Sequence, residues 1–100
     1  MPVSAKSLDD GKKVEINVQG RFDFNDHSAF RETYKTESPA AEYVIDMDRA
    51  EYLDSSALGM LLLLREHAGA DKAKIQIINT PNEIMKIFKI SNFDSLFNIS

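Results

Sequence analysis

The sequence predicts a small α/β domain: a mixed sheet of four to five strands, parallel in its centre and antiparallel at its N-terminal edge, packed with three to four helices. Three observations lead there. An apparent hairpin opens the chain, because Asp9-Asp10-Gly11-Lys12 carries an Asp-Gly turn signal between two extended stretches. From Lys13 onward strand and helix patterns alternate, and strand–helix–strand passages within one sheet imply parallel pairing. Finally, 100 residues of which 43% are apolar and 28% charged have the size and balance of one globular core. Residues 1–100 are read as a single domain.

Pro2 to Leu8 is expected as a weak edge strand, since proline fits only an edge or a strand start. Lys13 to Gly20 is the clearest strand, with Val14, Ile16 and Val18 alternating with Glu15, Asn17 and Gln19. Asn25 or Asp26 can cap a helix running to about Lys35, with Phe30 and Tyr34 on its inner side and Glu37-Ser38-Pro39 ending it. Tyr43 to Met47 is a short buried strand. The next helix spans Ser56 to Ala68, and Ala57, Leu61, Leu64 and Ala68 mark its buried side. Gly59 and Leu63 fall nearly opposite, with Met60 and Leu62 at the margins; either a neighbouring element covers Leu63 or it belongs to a docking surface. Lys74 to Asn79 is a further strand. Thr80-Pro81-Asn82-Glu83 has the pattern of a capping box with proline in the first helical position, and Ile84, Ile87 and Phe88 then face the core. Leu96 to Ile99 can add a last short strand.

The chemistry concentrates at Tyr52-Leu53-Asp54-Ser55-Ser56-Ala57-Leu58-Gly59-Met60-Leu61, which places an acid and two hydroxyls at the mouth of the most apolar segment. Asp and Ser are common N-caps, so a plain cap accounts for the pattern by itself. Strand counting brings Asp23, Asp46, Asp54, Ser55 and Thr80 to one end of the sheet, the rim where loops leave the carboxyl ends of parallel strands.

An enzyme is not expected. His27 and His67 are the only histidines, neither stands at metal-ligand spacing, and Ser55 has neither a local base nor a nucleophile-elbow motif. There is no cysteine and no glycine-rich phosphate loop, so no cofactor or metal is expected; Asp46 and Asp48 are too few oxygen ligands for a cation site. A net charge of −4 with scattered basic residues argues against nucleic acid. The longest apolar run, Met60 to Leu64, is far too short to span a bilayer and no leader pattern is evident, so a cytoplasmic location is expected. A receiver domain fits poorly, because its acid pair follows the first strand of a strictly alternating chain, whereas an apparent hairpin opens this one.

Asp54-Ser55-Ser56-Ala57-Leu58-Gly59, following a strand, resembles the signature of the STAS family, the anti-sigma factor antagonists of bacterial partner-switching systems. Gly20-Arg21-Phe22-Asp23 is similar to the family's G-E-L-D segment, and Ser91 to Ile99 to the stretch after its third helix, so the resemblance covers almost the whole chain. Ala57 stands where many members have glycine, Arg21 replaces the usual acid, and a closing helix of some relatives is expected to be short or missing. The resemblance implies a STAS-like fold and phosphorylation of Ser55, with Ser56 the lesser candidate. It implies a protein-binding switch whose unphosphorylated form captures an anti-sigma factor that is also a serine kinase of ATP-binding fold, is released on phosphorylation, and is reset by a metal-dependent serine phosphatase. Together with the helix pattern it marks Asp23, Asp54, Ser56, Ala57, Gly59, Met60 and Leu63 as partner-binding. The alternative is a STAS module in a sigma-independent circuit or a subunit of a transport assembly.

Overall fold

Each strand of the domain pairs with its neighbour in sequence, giving a sheet of order β1-β2-β3-β4-β5. The computed structural model describes residues 3–100, and the expected strand start at Pro2 lies outside them. β1 (Val3–Leu8) runs antiparallel to β2 (Lys13–Phe22); β3 (Glu42–Leu53), β4 (Lys74–Ile78) and β5 (Asn98–Ile99) follow in parallel. The turn between β1 and β2 is left-handed at Asp9, Asp10 and Gly11, with φ of 52°, 56° and 83°. A glycine takes that backbone without penalty, and Asp is among the few other residues that tolerate it.

Crossovers between parallel strands are right-handed as a rule, and three of them running in one direction along the sheet place all three helices on one face. These are α1 (His27–Glu32), α2 (Ser55–His67) and α3 (Asn82–Ile90). Val14, Ile16, Val18, Tyr43, Ile45, Ile75 and Ile77 point to that side and join Phe30, Leu61, Leu64, Ile84 and Phe88 in one buried cluster. The other face is left to solvent and is polar. There Lys6 lies opposite Glu15, and Lys13, Glu42 and Lys74 form a row across β2, β3 and β4, so unlike charges adjoin. Val44 is the exception, buried on that face between its neighbours Glu15 and Gln76.

Several boundaries differ from the sequence reading. β3 does not stop at Met47 but continues to Leu53, because β2 keeps pairing with it as far as Phe22. Across this stretch ten residues of β2 face twelve of β3, the extra two forming bulges between Asp46 and Arg49 and between Ala50 and Tyr52. α1 ends at Glu32 rather than near Lys35; Asp26 stands at its N-cap position, as expected, but makes no side-chain cap bond there, and Asp23 caps the 3₁₀ turn (Phe24–Asp26) leading into it. Asn25 N–H donates to Asp23 Oδ1 at 3.0 Å, while Asp23 N–H donates to Asp26 Oδ2 at 3.2 Å, which accounts for the burial of Asp26.

The expected capping box at Thr80 does not form. Pro81 occupies the N-cap position of α3 without a side-chain bond, and the buried Thr80 hydroxyl has no partner among the described residues. Thr80 is turned to a different use: its N–H donates to Ser100 O at 3.1 Å, tying the start of α3 to the end of β5. Phe88, Phe93 and Phe97 stack beneath that junction, with ring centroids 5.8 and 5.4 Å apart.

Candidate functional site

Because β2 and β3 run on past the end of β4, they carry a projecting rim of their own. Asp46 pairs with Ile78, the last residue of β4, and Leu53 lies seven residues further along, roughly 20 Å at strand rise. Asp23 and Asp54 follow the paired residues Phe22 and Leu53, and Asp54 N–H donates to Phe22 O at 3.4 Å. The structure therefore brings Asp23, Asp54 and Ser55 together but leaves Asp46 and Thr80 a level lower. Asp46 Oδ1 is occupied there by the Asp48 N–H at 2.9 Å and Asn79 Nδ2 at 3.2 Å. The bulged, polar tail of β3 is what separates the two groups.

Asp54 is the N-cap of α2 in extended backbone, so Ser55 rather than Ser56 begins the helix. Asp54 Oδ1 accepts from Ala57 N–H at 3.0 Å and from the Ser56 hydroxyl at 2.7 Å. The Ser56 hydroxyl, then the Ala57 N–H, hold the Asp54 carboxyl below its usual value, since both bonds favour the charged form. Two consequences follow for the serines. Ser56 is half-buried and its hydroxyl is engaged; Ser55 is exposed and makes no side-chain hydrogen bond among the described residues. A D-S-S sequence thus assigns its three residues three jobs: cap, free hydroxyl and brace.

Around Ser55 the rim is charged on one side and apolar on the other. Arg21 pairs with Asp23 at 3.6 Å and lies over the Tyr52 ring at 4.1 Å, a cation–π contact across the β2–β3 ladder. Along α2 the outward stripe is Ser55, Gly59, Leu62, Leu63 and Glu66, and Leu63 is 52% exposed. An added Cβ at Gly59 would meet nothing within 4 Å, so no packing inside the domain asks for glycine there, although it costs a helix interior about 1 kcal/mol relative to alanine.

Two of the expected partner-binding residues are not on the outer face of α2. Ala57 is 0% and Met60 2% exposed, both members of the buried cluster, with Met60 on the side of α2 that faces α1. Conversely, Phe24 is 70% exposed beside Asp23 and was not singled out by the sequence; its only signal was an aromatic residue between an acid and a turn. Tyr52, 41% exposed, and Leu62, 38% exposed, complete an apolar fringe. Among the described residues no group of three or more His, Cys, Asp or Glu is placed to hold a metal ion, and no helix is long and apolar enough to cross a membrane.

A family model described as "Mlab, STAS domain" matches residues 8–98. The chain belongs to the STAS family. A STAS-domain containing protein of Pseudomonas aeruginosa (strain UCBPP-PA14) is 50% identical over 101 residues, covering all of both chains. Among solved structures, the anti-sigma factor antagonist SpoIIAA superposes in its unphosphorylated form with TM-score 0.73 at 17% identity, over 98% of this chain and 86% of that one. The phosphorylated form of this Bacillus cell fate determinant gives 0.72 at 18%, covering 98% and 90%. A sulfate transporter family protein of Wolinella succinogenes gives 0.75 at 12%, covering 94% and 80%. At such identities the superpositions establish a shared SpoIIAA-like fold. This STAS domain therefore has the expected mixed sheet, with its antiparallel edge at β1.

Proposed function

We propose that this STAS domain is a phosphorylation-controlled binding switch of the anti-sigma factor antagonist type, with Ser55 as the modified residue. The observation that carries the reading is the division of labour at the α2 start: the Ser55 hydroxyl is exposed and unengaged while Asp54 and Ser56 are bonded to each other. Unphosphorylated, the surface of Asp23, Ser55, Gly59, Leu62 and Leu63 captures an anti-sigma factor that is also a serine kinase of ATP-binding fold. Phosphorylation of Ser55 by that partner adds roughly −1.5 to −2 charge in the centre of the contact, beside Asp54 and Asp23, and docking fails. A metal-dependent serine phosphatase restores the binding form.

The domain itself tolerates the phosphate. The positive end of the α2 dipole favours an anion at the first turn, and because Asp54 already serves the Ala57 N–H, the phosphoryl group stays outside the cap. The switch on this reading works by occlusion. Incubation with the cognate kinase of wild type, Ser55→Ala and Ser56→Ala, followed by phosphopeptide mapping, tests it; full phosphorylation of Ser55→Ala would overturn the assignment.

The same fold in a sulfate transporter family protein makes a transport assembly the competing outcome. Pull-downs with Ser55→Ala and Ser55→Asp separate the two: a nucleotide-binding kinase captured by the alanine form supports the switch, and a membrane transporter complex captured equally by both forms supports the alternative.

A further inference from the structure

Away from the serine rim, a groove of about 290 Å³ lies between α1 and α2. Its floor is Phe30, Tyr34 and Met60, all buried, and Leu63 forms one wall. Its polar edge consists of His27, Arg31 and His67 and contains no acid, in a chain whose net charge is −4. His67 is fixed in place, its Nε2 3.0 Å from Glu37 O and its ring 5.0 Å from that of Tyr34. Arg31 is not fixed: it is exposed and has no carboxylate within ion-pair distance among the described residues. Its charge is nevertheless felt in the groove, where it opposes the burial that raises the Tyr34 hydroxyl pKa.

We propose that this groove binds an anionic amphiphile of acyl-chain type, with a carboxylate head paired to Arg31 and an alkyl chain laid over Phe30, Tyr34 and Met60 against Leu63. The volume, about 290 Å³, lies just below the roughly 300–1,000 Å³ of small-ligand pockets and is too small to seat a helix about 10–12 Å across. An extended peptide would lose water from its amide groups over a floor of aromatic rings and a thioether. An alkyl chain has no such groups, and an edge of only basic side chains selects a negative head over a neutral one. The site shares Leu63 with the partner surface of the Ser55 switch but does not require the switch.

The test uses the full chain alone, with decanoate and 1-decanol as probes below their aggregation limits, read by methyl NMR at Met60 and Leu63 and by calorimetry. Decanoate should give saturable shifts at both methyl sites and bind more tightly than decanol by roughly twofold to fivefold, within the range expected for an exposed ion pair. Arg31→Glu should remove that advantage and leave decanol binding unchanged, whereas Lys89→Glu on the distant α3 should alter neither. Ser55→Ala should bind decanoate as wild type does, so a failure here leaves the switch untouched. Absence of saturation, equal affinity for decanol, or full decanoate affinity in Arg31→Glu would each overturn the proposal.

Discussion

α2 and α3 pack on the same sheet face but are built on opposite plans. α3 follows a proline, has no side-chain cap, and turns Ile84 and Phe88 inward and Lys86 and Lys89 outward. α2 is capped by Asp54 and its first three turns are apolar nearly all round, with Leu61 and Leu64 in the core and Leu62 and Leu63 in water. An uncapped helix held by one sharp apolar stripe is architecture: its stability comes from the sheet beneath it. A capped helix that keeps leucines and a glycine on its outer face has surface to spare for a partner. The contrast predicts that mutations on α3 act on folding and mutations on the outer face of α2 act on binding.

The strongest way to break the comparison is Phe88→Ala, which empties a fully buried site between Phe93 and the sheet. It should cost about 3–5 kcal/mol, a large share of the roughly 5–15 kcal/mol by which such domains are stable. Urea denaturation measures it, and a loss below about 1 kcal/mol would show that α3 is not the structural helix. Next comes phosphate at Ser55. Relative to the unmodified chain it should weaken partner binding by about 2–5 kcal/mol with Ser55→Asp falling between, while amide NMR shifts stay within the Asp54–Met60 turn and its rim neighbours. Shifts spreading through β4 and α3 would mean that the domain remodels. Leu63→Asp should likewise lose partner affinity, with a thermal midpoint close to wild type.

Smaller effects sharpen the contrast between the two helix starts. Asp54→Ala should lower stability measurably by removing the cap of α2. In wild type the Asp54 carboxyl lies below its usual 3.8, so its contribution is complete above that value and is lost as pH falls through the lower, folded-state value. Denaturation from pH 5 downward should therefore show a stability loss that Asp54→Ala lacks. At α3 the corresponding change is nearly silent. Thr80→Val removes a buried hydroxyl that has no partner among the described residues and should leave stability within about 1 kcal/mol of wild type, or raise it. A clear destabilisation would mean that the hydroxyl caps α3 in solution.

These two helix starts also show what the sequence discloses. The cap at Asp54 was legible because an acid, two serines and a run of leucines occupy adjacent positions, and local bonding decides the geometry. At Thr80 an equally good local pattern fails, because Ser100, distant in sequence, accepts the Thr80 N–H. Period-two alternation disclosed β2, and buried apolar runs disclosed β4 and the first half of β3. The tail of β3 was hidden: Asp48-Arg49-Ala50-Glu51 has no strand pattern, and it is extended only because β2 pairs with it through two bulges. That tail lifts Asp23, Asp54 and Ser55 clear of Asp46, so the predicted gathering of five residues becomes one of three. Met60 was placed at a margin by helical geometry alone, whereas packing of α1 against α2 puts it in the core.

The order of the sheet has a consequence for how the chain assembles. Every strand pairs with the strand immediately before it, so no pairing has to wait for a later part of the polypeptide to close a long loop. During synthesis the hairpin of β1 and β2 can form first, and each subsequent helix and strand finds its docking edge already exposed. The junction where Thr80 N–H meets Ser100 O joins the last of these pairings and forms after the others. Until it does, the edge of β4 is an open template for another chain, and the stack of Phe88, Phe93 and Phe97 is the apolar surface a chaperone would meet.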